Sequence, residues 1–111
     1  MDLAFSTPKL KKICNEEMEM IRAYGKNRAK KLQTRLSDLE AATCLSDISH
    51  RPPPRRHELE GDKKGIFSVD LIHPWRLLFT PNHNPIPLKP DGGIDLSLVT
   101  SILIIAIEDT H

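Results

Sequence analysis

Apolar positions recur along this chain at two different periods. In the first third they fall every three or four residues. From residue 8 to about 24, Leu10, Ile13, Cys14, Met18, Ile21 and Tyr24 trace one stripe of a helix. Thr7 supplies an N-cap, Pro8 occupies the first helical position, and Gly25 marks the stop. A second helix, from 26 or 27 to about 42, carries Ala29, Leu32, Leu36, Leu39 and Thr43 on one side, and Lys30, Lys31, Gln33, Arg35 and Asp38 on the other. Two consecutive amphipathic helices with a short link predict an antiparallel hairpin. Ahead of them, Leu3-Ala4-Phe5 predicts a short strand, and residues 45–48 predict one further turn.

After residue 54 the period changes to two. Residues 55–60, 66–72 and 75–80 predict three antiparallel strands, joined by a Gly61–Gly65 turn and by His73-Pro74. Phe67, Val69 and Leu71 share a face, with Ser68 and Asp70 opposite. Trp75, Leu77 and Phe79 share the next strand's core face, and Arg76 points away from it. Residues 50–54 contain three consecutive prolines and predict a stiff connector into the sheet. Residues 81–98 begin with a proline-rich run ending in two glycines, which predicts a long loop, functional or mobile. Residues 101–107 are apolar on both faces, as in a central strand covered on both sides. The order strand, helix, helix, then about four antiparallel strands predicts a single α+β domain over 1–111, its helical hairpin packed on one sheet face. The other face is left for a ligand.

Composition narrows the function classes. No signal peptide is evident, and the apolar run 102–107 is too short to span a bilayer, so a cytoplasmic protein with no membrane partner is expected. Cys14 and Cys44 lack CxxC spacing, which favours buried free thiols over a disulfide or zinc site. The five histidines show no metal-ligand spacing, and no cofactor is expected. The net charge of +1 hides an asymmetry. Residues 9–35 hold nine Lys and Arg against three Glu, net +6, whereas residues 80–111 hold one Lys against four acids, net −3. One face is thus suited either to a polyanionic partner or to plain solvation. His57, Arg76 and the lysines of the first turn converge on one rim of the predicted sheet, which would suit an anionic ligand such as RNA phosphate; Lys63, Lys64, Arg55 and Arg56 are the residues expected to bind RNA.

Several segments together resemble the HigB branch of the RelE/ParE toxin superfamily of toxin–antitoxin systems, whose longer-loop members are sometimes labelled killer-suppression proteins. They are residues 32–43, His57-Glu58-Leu59-Glu60-Gly61-Asp62-Lys63-Lys64-Gly65, Trp75-Arg76-Leu77-Leu78-Phe79, and the ending Ile107-Glu108-Asp109-Thr110-His111. The resemblance implies a RelE-like fold and a toxin that cuts messenger RNA on the ribosome. The chemistry it implies is metal-independent attack of the ribose 2′-hydroxyl on the adjacent phosphate. It assigns catalytic roles to His57, Arg76 and His111: Arg76 clamping the phosphate, the two histidines sharing proton transfer. Implied partners are a HigA-like helix-turn-helix antitoxin, the ribosome and messenger RNA, with DNA contacted only through the antitoxin complex.

Two positions depart from that pattern. Glu60 stands where the family often has lysine, and Thr110 where it often has tyrosine. A carboxylate beside phosphate and a lost stacking ring point to weakened cleavage or an altered RNA target. They motivate a second reading, a catalytically weak or inactive module that still binds antitoxin or ribosome. Gyrase poisoning, as in the ParE branch, is the third; His57 and His111 favour the ribonuclease branch.

Overall fold

The computed structural model describes residues 1–109. Strand β1 (Asp2–Phe5) leads into three helices, α1 (Pro8–Asn15), α2 (Glu17–Tyr24) and α3 (Lys26–Ala41). Strands β2 (His57–Glu58), β3 (Phe67–Asp70), β4 (Trp75–Pro81) and β5 (Ser101–Asp109) follow. The sheet order is β1-β5-β4-β3-β2. The four later strands form the expected antiparallel run, and β1 joins it as a fifth strand, parallel to β5. The α+β architecture is therefore the observed one.

The helix expected over 8–24 is two helices. Thr7 caps the first as predicted, its hydroxyl accepting from the Leu10 N–H. At Glu16 the backbone turns extended (φ −122°, ψ 111°) without any proline or glycine. The order of charges suits the break. Lys12 lies in the last turn of α1, while Glu17 and Glu19 lie in the first turn of α2, the order that suits one helix ending and another starting. Gly25 then serves both α2 and α3 with φ 80°, a conformation that side chains other than glycine's rarely adopt.

Leu10, Met20, Ala29, Leu32, Leu36 and Leu39 pack from the helices onto Phe67, Val69, Leu77, Phe79, Ile102 and Ile104 of the sheet. Phe67 and Phe79 are cross-strand partners, their rings stacked with centroids 5.9 Å apart. Trp75 is half-buried at the rim of this core, 5.8 Å from the Tyr24 ring, with the Arg28 guanidinium 4.8 Å over it.

Three expectations are corrected. Arg35, assigned to the solvent side of α3, is only 3 % exposed; its Nε donates to the Asp70 carbonyl at 2.7 Å and its Nη1 to Asp38 at 2.9 Å. The strand over 55–60 pairs only at His57 and Glu58, because Arg55 takes φ +48° and bends the chain out of the ladder. The strand over 101–107 is central, but helices cover one face alone; Leu103 and Ala106 on the other are half-buried. A register shift between Leu78 and Phe79 leaves Ile105 unpaired, which keeps Ile102, Ile104 and Ile107 all on the core side.

The 81–98 loop is built by its own hydrogen bonds. Leu88 bridges to Ile94, and the Asn82 N–H donates to the Ser101 carbonyl at 2.8 Å. His83 Nε2 accepts from the Thr100 and Ser101 N–H groups at 3.1 and 3.3 Å, tying the loop base to β5. No helix among the described residues is long and apolar enough to cross a membrane.

Candidate functional site

The hairpin of β3 and β4 turns at His73-Pro74, and its pairs are symmetric about His73: Phe67 with Phe79, Ser68 with Leu78, Val69 with Leu77, Asp70 with Arg76. Alternation sends Phe67, Val69, Leu77 and Phe79 to the core. Ser68, Asp70, Arg76 and Leu78 therefore belong to the face without helices. His57, the partner of Ser68, joins them from β2, and Ala106 and Glu108, the partners of Leu78 and Arg76, join from β5.

Two of the three residues expected to be catalytic thus share one sheet face. His57 is exposed, and the Arg76 side chain is 28 % exposed. With β3 between them, their Cα positions lie about 10 Å apart across the strands and about 7 Å along them. His111 lies outside the described residues, two positions beyond the last pair of the ladder, Asp109 with Trp75.

The residues expected to bind RNA divide. Lys63 and Lys64 are exposed at the Gly61–Lys63 turn. Glu58 braces that turn, its Oε2 accepting from the Gly65 N–H at 3.1 Å, and Lys64 lines a groove of about 370 Å³ together with Glu58 and Glu60. Arg55 grips Asp70 through both nitrogens of one edge, Nε to Oδ2 at 2.7 Å and Nη2 to Oδ1 at 2.9 Å. The hydrogen bond and charge of Asp70 push the Arg55 guanidinium pKa above its ordinary value. Arg56 points the other way: its Nη1 donates to the Leu45 and Ile48 carbonyls at 3.2 and 2.6 Å, and burial pulls its pKa down. The Arg56 guanidinium braces the Leu45–Asp47 turn and is directed away from any ligand on the open face.

Two solved structures share this fold. The chain is similar to the YoeB/ParE toxin from Agrobacterium tumefaciens, with a TM-score of 0.58 and 10 % identity over 100 % of both chains. It is also similar to a chain of the YoeB-YefM complex from Staphylococcus aureus, with a TM-score of 0.56 and 14 % identity over 100 % of this chain and 98 % of the other. No family model and no curated protein matches the sequence. At these identities the likeness is one of fold.

Sequence reasoning passed over Asp70, which the structure makes the centre of the open face. Its carboxylate holds Arg55 and lies 3.6 Å from Arg76 Nε, while its carbonyl takes Arg35. The signal was available in the hairpin, since Asp70 and Arg76 are equidistant from His73. Glu108 stands on the far side of Arg76 in the register, so the face carries a row of alternating charge: Arg55, Asp70, Arg76, Glu108. Ser68, fully buried between His57 and Leu78 in the register, has a hydroxyl with no hydrogen-bond partner among the described residues. Among the described residues no group of three or more His, Cys, Asp or Glu could hold a metal ion.

Proposed function

We propose that this chain is the toxin of a type II toxin–antitoxin system and cleaves messenger RNA on the ribosome. The observation that carries the reading is the common face of His57 and Arg76 on a sheet whose fold matches YoeB and ParE toxins. On such a face a phosphodiester would sit against the Arg76 guanidinium, which offsets charge developing on the phosphorane as the 2′-hydroxyl attacks. His57 would exchange a proton with the attacking 2′-hydroxyl or the leaving oxygen. His111 would complete the set, with Lys63 and Lys64 following the RNA backbone. A HigA-like antitoxin that covers this face would silence it; the similar Staphylococcus aureus structure is itself a YoeB-YefM complex.

One observation favours a second reading, a binding module of weak or no nuclease activity. Asp70 and Glu108 flank Arg76, and Glu58 and Glu60 share the groove of Lys64, so cations on this side are accompanied by carboxylates. Induced expression separates the two. The nuclease reading expects growth arrest and transcripts cut only when ribosomes are present, with Arg76→Ala losing both at least about a hundredfold. Arrest unchanged by Arg76→Ala, or antitoxin binding without any cleavage, favours the binding module.

A further inference from the structure

We propose that Asp70 is a resident anion that occupies the phosphate-binding edge of Arg55 and attracts the neighbouring Arg76, so that RNA must displace it and its charge sets the affinity of the face. The proposal rests on the RNA-acting reading above and concerns how that same face is held before substrate arrives. A guanidinium offers a planar fork of N–H groups that fits a carboxylate and a phosphate in the same bidentate way. The fork of Arg55 is already filled by both oxygens of Asp70, at 2.7 and 2.9 Å. Arg76 is held more loosely: its Nε is 3.6 Å from Oδ1, close enough for attraction but beyond a hydrogen bond. It therefore has donors to offer as soon as an oxyanion competes for them.

The backbone of Asp70 cannot swing aside to release them. Its N–H donates to the Pro54 carbonyl at 2.8 Å, and its carbonyl accepts from the buried Arg35 at 2.7 Å. Displacement is left to side-chain rotation alone. Arg55, for its part, is held at φ +48°, a conformation costly to a non-glycine residue, which persists where the surroundings impose it. The fixed carboxylate and the strained arginine together hold a preformed fork in the shape a phosphate needs. The charges of Arg55, Asp70, Arg76 and Glu108 sum to zero, so the face has little pull on a polyanion until Asp70 is neutralised or moved.

The test measures binding of a fully 2′-O-methylated single-stranded oligoribonucleotide, which cannot undergo 2′ attack, across a range of salt. Wild type, Asp70→Asn and Asp70→Glu are compared. Asp70→Asn should bind about five- to tenfold tighter at low salt, with a log-log salt dependence steeper by about one. Asp70→Glu, which keeps the charge, should behave as wild type. In the unsubstituted protein, the Asp70 carboxyl resonance should move on binding, which reads the displacement without relying on any variant. Unchanged or weaker binding by folded Asp70→Asn, no binding by either protein, or bound RNA with the Asp70 resonance unmoved would overturn the proposal. Tighter binding by Asp70→Asn with no cleavage from any form would leave it standing and remove the nuclease reading instead.

Discussion

The two faces of the sheet are built on opposite principles. On the helical side, Phe67, Val69, Leu77, Phe79, Ile102 and Ile104 are excluded from water and specified by shape. On the other, Arg55, Asp70, Arg76 and Glu108 are specified by charge order across neighbouring strands, and His57 stands exposed beside them. The first arrangement stabilises the fold in proportion to the apolar area removed from water. The second adds little stability, since half-exposed ion pairs are screened, and it leaves groups with unused bonding capacity. Function belongs where side chains still have partners to gain.

The sharpest way to break this contrast is to exchange the expected costs. Phe79→Ala, at a fully buried ring stacked on Phe67, should lower unfolding free energy by about 3–5 kcal/mol in denaturant melts. Arg76→Ala on the other face should change it by less than about 1 kcal/mol. If the two cost the same, the open face is structural after all. The adjacent arginines give a second contrast. Arg56→Ala removes the donor to the Ile48 carbonyl, while the Leu45 carbonyl keeps the Ile48 N–H, and should cost about 1–3 kcal/mol, whereas Arg55→Ala should cost less than about 1 kcal/mol. Equal losses would show that Arg55 is as much a brace as its neighbour.

Ser68→Ala gives a smaller effect of opposite sign. Removing a buried hydroxyl that has no partner should be neutral or stabilise by up to about 1 kcal/mol, read as a raised melting temperature. A marked loss would reveal a bond made by that hydroxyl. The smallest effect concerns Cys14, whose thiol burial pushes up to about 11 from 9.0. Because the folded value is the higher, its contribution to stability is complete below about pH 9 and is lost as pH rises toward 11. At pH 8 a maleimide should accordingly modify Cys14 slowly in the folded protein and quickly after unfolding. Equally fast labelling in both states would deny the burial.

Much of the helical side was legible because burial imposes a period. Leu32, Leu36 and Leu39 mark α3, and Phe67, Val69, Leu77 and Phe79 mark the core face of β3 and β4, by spacing alone. What escaped were features with no period. The break at Glu16 has no proline or glycine to mark it, the bulge at Ile105 hides within an unbroken apolar run, and Arg35 is a charged side chain whose needs are met across the core, at the Asp70 carbonyl. On the open face, alternation located Arg76 and Asp70 separately. Their meeting depended on where the hairpin turns, and the contrary orientations of Arg55 and Arg56 depended on one left-handed backbone angle.

The position of β5 has a consequence for how the molecule comes to exist. This strand is the last to be synthesised of the five, yet it lies second in the sheet, between the first strand and the fourth. Until it emerges, β1 has no neighbour to pair with and β4 lacks one of its two. Assembly must therefore wait on contacts that close a loop of nearly the whole chain, the kind of topology that folds slowly. A nascent chain therefore leaves β1 without its partner, and β4 with only one of its two, until β5 has been made.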